Sequence, residues 1–437
     1  MRLRNLVLLF RKEWRELFAS RAFWLMLLII GPLVGHGFIT AVRLYAEASG
    51  SGGGPAALPQ ALTPLDGILV PTFGAYDLAA TFLLPFVAIR LIALEKETGG
   101  LKLLLQLPES IYTKVGIKSA VLLTGWLVAA IPGLIAVVLW KSYGGHLYGP
   151  ETLNLVLGHG LRMMLATAIA LAAAALAGNA ASAAIVTLGV TVGSWVIDFV
   201  AAGRGGILQV IANYTPAAAL RSFEQGLLRL NTVVVMFAFI LAGLALTAVW
   251  LQIGRSFTFR FAGSAVILLL LSVTITAGAA ARSSRDVSEN RRNSFAGADE
   301  AALRQINQPL KITLVLAPED PRLADYEQNV LKKLRRVLPH LEVNYAAESQ
   351  TGLFDNAGDH YGEIWYEMNG QKAMERSTID AVVLEQIYRL SGTNPPAQTE
   401  ENDFPGYPLA ANPRHASLIF YVLWPLATMI AWWFVRR

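Results

Sequence analysis

Cysteine is absent from all 437 residues. That excludes disulfides, thiolate nucleophiles and cysteine-ligated metals, and leaves the redox compartment open. Charge is also scarce, at 15% of residues against 54% hydrophobic, where soluble domains carry roughly 25% charged residues. A soluble protein of this composition would expose a large greasy surface, so lipid is the expected solvent for much of the chain. Histidine is limited to six residues; His36 and His159 have no second ligand at metal spacing and read as packing residues. No Gly-x-x-x-x-Gly-Lys-Ser/Thr stretch occurs, so no loop of that type cradles ATP phosphates here.

The net charge of +5 is unevenly distributed. Residues 282–413 hold 14 Lys/Arg and 20 Asp/Glu, and the remainder holds 22 and 11. An acidic module therefore hangs on a basic membrane body, and the positive balance does not point to nucleic acid.

The N-terminal 1–21 segment places Leu3, Leu6, Val7, Phe10, Trp14, Leu17 and Phe18 at helical steps, with Arg4, Arg11, Lys12 and Arg15 between them. One oily and one basic face suit a helix lying in the membrane interface. Its apolar stretch begins too late and runs too long for a cleaved signal. Runs long enough to cross roughly 30 Å of hydrocarbon fall at 22–42, 75–94, 115–140, 154–177, 179–201, 232–253, 262–281 and 416–435. Only Gly178 and Asn179 separate the fourth from the fifth. Residues 203–231 read as short interfacial helices, and Ser49–Pro55 as a flexible Gly/Ser tract.

Lys and Arg mark the cytoplasmic side. They cluster in the N-terminal arm, at Lys96, Lys102, Lys114 and Lys118, at Arg255 and Arg260, and at the Arg436-Arg437 tail. All four groups fall on one face of an eight-span topology. Both termini are then cytoplasmic, and Arg90 anchors at the inner end of the second span. The 282–413 module lies outside, before the last span, 414–437.

The module reads as α/β. The expected order is a helix near 295–306, a strand at 311–316, a helix at 323–338, a strand at 341–345, a hairpin and a helix at 378–390. Asn369-Gly370 supplies the positive φ angles of a hairpin turn. This order suggests a thioredoxin-like sandwich. Asp355, Asp359, His360 and Glu363 lack regular ligand spacing and read as a solvated loop; Glu367 and Glu375 flank the hairpin without a nucleophile. No catalytic constellation or metal site emerges.

Between the second and third runs, residues 95–110 are too polar to span and too brief to be a domain. Glu95, Glu97, Gly99, Leu101, Leu103, Leu104, Leu105, Pro108 and Ser110 resemble the cytosolic coupling helix of type-2 ABC exporter permeases. The likeness covers 1–253, with the permease body at 22–253. It implies a homodimer with separate ABC ATP-binding subunits docked under 95–110, those subunits binding ATP and Mg; this chain itself would hold no cofactor and no ATPase activity. It also implies a bacterial inner-membrane location. Residues 254–281 (the seventh span), 282–413 and the eighth span resemble a shortened auxiliary component of gliding-motility-type ABC systems, with an envelope protein as a partner. A mechanical or scaffolding complex that conducts no solute is the alternative.

Ionisable residues inside spans invite a functional reading. Arg162 and Asp198, on adjacent antiparallel helices, are expected to pair near the outer side. Gly31-x-x-x-Gly35 and Gly189-x-x-x-Gly193 permit close helix approach and suggest a dimer seam.

Overall fold

Among the described residues of the computed structural model, eight helices are long and apolar enough to cross a membrane. The structure describes residues 2–51, 63–201, 207–252, 254–279, 283–317, 320–346, 360–396, 404 and 406–436. Asp355, Asp359, Arg204, Arg437 and most of the Gly/Ser tract lie outside these residues. These candidate spans, called spans below for their length and composition, are Arg21–Gly50, Leu65–Glu97, Ile111–Ser142, Gly149–Leu176, Ala180–Ala201, Leu230–Trp250, Phe257–Gly278 and Arg414–Arg436. Each contains most of an expected run, but the first and second reach well beyond theirs. Apolar runs mark only the part of a helix that lipid requires, and polar residues continue the same hydrogen-bond ladder past it. The fourth–fifth break falls at the expected dipeptide, where Asn179 Oδ1 accepts the Ser182 amide at 2.8 Å and caps the new helix.

Contacts divide the chain into two units. The first comprises Met1–Gly193, Leu230–Ala281 and Pro405–Arg437. Its centre is the second and fourth spans, whose most apolar stretches are 67% and 72% buried against 6% and 11% for the seventh and eighth. Gly31 and Gly35 lie against the last span: a Cβ on Gly31 would meet the Trp424 ring, and one on Gly35 the Phe420 side chain. Trp424 Nε1 also donates to the Leu27 carbonyl at 2.7 Å. This pair of glycines therefore serves an intrachain seam, whereas Gly189 and Gly193 have nothing nearby.

The second unit gathers Ser194–Arg229 with Arg282–Phe404. The 203–231 region forms the expected short helices, Ile207–Ala212 and Pro216–Glu224. An unexpected strand follows. β1 (Leu227–Arg229) pairs antiparallel with β2 (Ser284–Asp286), joining the residues before the sixth span to those after the seventh. The remaining strands are β3 (Leu310–Leu314), β4 (Leu341–Tyr345), β5 (Ile364–Met368) and β6 (Gln371–Glu375), in the order β4-β3-β5-β6. β4 runs parallel to β3, and β5 and β6 are antiparallel neighbours. Asn369 and Gly370 take φ values of 53° and 75° at the hairpin. Helices Gly297–Leu303, Pro321–Tyr326, Lys332–Val337 and Asp380–Ser391 supply the other elements of the expected order. Ile312, Leu314, Val330, Leu334, Ile364, Val383 and Ile387 are buried together, with the Tyr326 and Tyr366 hydroxyls 2.8 Å apart among them.

Three long-range contacts constrain topology. Lys12 meets Glu95 across two spans, Tyr45 donates to the Tyr407 carbonyl across six, and β1 meets β2 across two. Even separations are required if each apolar helix crosses once.

Gly35→Ala is expected to destabilise the chain by about 1–3 kcal/mol through overpacking, seen as a lower thermal midpoint in detergent. Gly74→Ala, which meets nothing, serves as the control and should not lower it. In the module, hydrogen bonds from Arg322, joined by one from Tyr361 at 2.8 Å, hold the Asp320 carboxyl down to about 2. Its folded value lies below the unfolded one, so its contribution is present above about pH 4 and lost as pH falls towards 2. Asp320→Asn should flatten the pH dependence of module unfolding across that window; superimposable profiles would refute the assignment.

Candidate functional site

The second span ends at Glu97, and Gly99 turns the chain with φ +74°. Only glycine enters that left-handed region without steric cost. The elbow helix, Gly100–Gln106, follows. Leu101 and Leu104 are buried in the core of the helical unit, and Leu105 is half-buried against it. On the other side Lys102, Leu103, Gln106, Leu107 and Pro108 are exposed, Leu103 by 69%. Ser110 then caps the third span by accepting the Thr113 amide.

The elbow is clamped at both ends. Lys114 Nζ donates to the Leu107 carbonyl at 2.9 Å. Lys96 Nζ reaches the carbonyls of Ala174, Ala175 and Ala177 at 2.6–3.0 Å. It thereby caps the fourth span, whose last carbonyls have no helical partner and carry partial negative charge. Asn5 of the N-terminal helix, Arg2–Ala19, donates to Glu109 at 3.0 Å.

Beneath the elbow lies a cluster of charges. Lys118 Nζ sits 2.7 Å from Glu13 Oε2 and 2.9 Å from Glu95 Oε2, all three side chains being buried. Lys12 Nζ lies 2.5 Å from Glu95 Oε1 and 3.1 Å from both Glu13 and Glu16. Burial alone would lower the Lys12 pKa, but the Glu95 hydrogen bond and the two carboxylate charges raise it above the usual lysine range. Burial pushes the Glu13 carboxyl up, partly opposed by Lys118. Glu13, Glu16 and Glu95 converge closely enough to hold a metal ion, but the Lys12 and Lys118 ammonium groups already lie among them and offset two of the three charges. Their chemistry is that of a structural clamp.

This geometry revises the expected roles. Glu95 is an internal clamp residue and cannot also face a docked partner. Glu97 and Leu103 are exposed, Gly99 makes the turn, and Leu101 and Leu104 secure the helix from within. Sequence reasoning passed over Glu13, although it falls on the oily Leu6–Phe10–Leu17 stripe, where a charge demands a counter-ion. Lys114 and Lys118, which mark topology by their charge, also hold the elbow and the clamp.

The expected Arg162–Asp198 pair is replaced by two others. Arg162 Nε lies 3.5 Å from Asp77 within the helical unit, and Asp198 pairs with Arg221 in the second. Arg162 is at the middle of its helix because that helix begins at Gly149, ahead of the apolar run. Asp77 is the one acid between Val70 and Leu94, a signal that could have named it. In the module, Glu363 is held by Arg376, His360 and Trp365 at 3.1–3.2 Å, an anchored carboxylate.

Comparison with family models, with curated proteins and with solved structures yields no match.

Lys118→Met leaves two carboxylates buried together and should cost about 3–5 kcal/mol, measured as a fall in the thermal midpoint of the purified chain. Adding Glu13→Gln should recover part of that loss. Equal midpoints for parent and Lys118→Met would rule out the clamp.

Proposed function

We propose that this chain is the membrane-embedded permease subunit of an ATP-driven exporter, working as a homodimer with separate ATP-binding subunits. The observation that carries this reading is the elbow helix. It projects an exposed edge of Leu103 and Leu107, flanked by Glu97 and Lys102, from a base tied to the N-terminal helix and three spans. An exposed apolar edge rimmed by charge fits a protein groove better than water. A push on it passes through Leu101 and Leu104 into the core, and through Lys96 into the end of the fourth span. Docking on this edge would let an ATP-hydrolysing neighbour move several helices as one.

The resemblance of 95–110 to coupling helices and the even-separation contacts support the same orientation, with the elbow and both termini cytoplasmic and the module outside. ATP and Mg belong to the partner. The β1–β2 ribbon favours a second reading. It couples the module to two spans at once, as a mechanical complex acting on an envelope protein would require.

The absence of native cysteine makes the test clean. A crosslinker on Leu103→Cys should capture an ATP-binding subunit in cells. Leu103→Glu should weaken copurification of that subunit by about tenfold or more, since burying a charge in an apolar contact costs well over 1 kcal/mol. Capture of lipid alone would end the proposal.

A further inference from the structure

Deep in the helical unit, Arg162, Asp77 and Thr81 are buried on the second and fourth spans, where Tyr76 and His159 are buried as well. Arg162 is wholly buried, and none of its three guanidinium nitrogens has a hydrogen-bond partner among the described residues. Its nearest counter-charge, Asp77 Oδ1, lies 3.5 Å from Nε and also lacks a hydrogen bond. Thr81, one turn further along the same face as Asp77, is fully buried with its hydroxyl unpaired. Pro85 has no N–H to return to the Thr81 carbonyl, so that acceptor is freed from the helix ladder as well. Phe73 and His159, 5.3 Å apart between ring centres, close one end of the row.

Such an arrangement is costly unless something completes it. A guanidinium carries five N–H donors in a planar fork, and burying them unpaired at the middle of a span costs several kcal/mol. A single offset carboxylate cannot satisfy them. An oxyanion can, because two of its oxygens accept in parallel from the fork. The surrounding Leu155, Ala166, Ala80 and Leu84 are buried and apolar, which suits a hydrocarbon chain attached to that oxyanion.

We propose that Arg162, with Asp77 and Thr81, forms an intramembrane binding site for an amphipathic molecule bearing a carboxylate or phosphate. Arg162 takes the oxyanion, Asp77 is the resident counter-ion that the ligand displaces, and the Thr81 hydroxyl donates to a lone pair that the fork leaves free. The site names a ligand class for the transport reading but rests on this constellation alone. Binding is measured without any ATPase, so its failure and that of the elbow docking are separable.

The test uses the full chain in nanodiscs of neutral phosphatidylcholine, with radiolabelled oleate and oleyl alcohol as probes and dodecyl phosphate and acetate as competitors. Oleate should bind saturably and about tenfold or more tighter than the alcohol, the scale of one charge-assisted contact. Dodecyl phosphate should compete. Arg162→Gln should reduce oleate to the level of the alcohol, and Arg162→Lys should fall between, having charge without the fork. Asp77→Asn should tighten oleate severalfold, because the guanidinium is no longer shared. Should Arg162→Gln fail to fold, the unmutated chain and Asp77→Asn still decide. Equal binding of oleate and oleyl alcohol by the parent chain, or weaker oleate binding in Asp77→Asn, would overturn the site. Competition by acetate as potent as by dodecyl phosphate would overturn its amphipathic ligand.

Discussion

Lys118 places one ammonium group between two buried carboxylates that come from distant parts of the chain, and much of the helical unit is organised around that contact. Glu13 belongs to the N-terminal helix, Glu95 to the end of the second span, and Lys118 to the start of the third. Each ion alone would be very expensive to bury, and together they are tolerable only in one geometry. The arrangement contributes little net stability compared with a well-packed apolar core. Its effect is on register: the N-terminal helix, the elbow and two spans can adopt one mutual position and few others. Lys96 extends the frame to the fourth span through its carbonyls.

The same low-dielectric environment explains why the two buried ionic sites differ so much in character. At the clamp every carboxylate has an ammonium group within 3.1 Å, and the site lies at helix ends. At Asp77 and Arg162 the charges stand 3.5 Å apart without a hydrogen bond, near the middle of the fourth span. A satisfied cluster rigidifies its surroundings, whereas an unsatisfied one marks a place where the protein has kept interaction capacity in reserve. One chain therefore uses buried charge both to fix an element and to hold capacity open.

Apolar runs of membrane length revealed the eight long helices found among the described residues, because no soluble core requires them. Their ends were not legible: Gly149-Pro150-Glu151 opens the fourth helix with residues that no hydropathy window includes, and this displaced Arg162 from the middle to one end. Strand patterns and Asn369-Gly370 gave the order of the module's elements, since alternation and turn chemistry are local. β1 and β2 escaped notice because three-residue strands paired across two spans leave no local trace. At the elbow, sequence identified the helix but gave Glu95, Leu101 and Leu104 the same outward role as Leu103. A carboxylate's direction depends on partners such as Lys12 and Lys118, and only the fold brings them near.

The ribbon formed by Leu227–Arg229 and Ser284–Asp286 also carries a consequence for biogenesis. Its first strand is synthesised before the sixth span and must wait, unpaired, until the whole seventh has left the ribosome. The two helices between them then become a closed loop whose ends are held together. From that moment those two ends cannot part without breaking the ribbon first, so its closure is a late step of assembly.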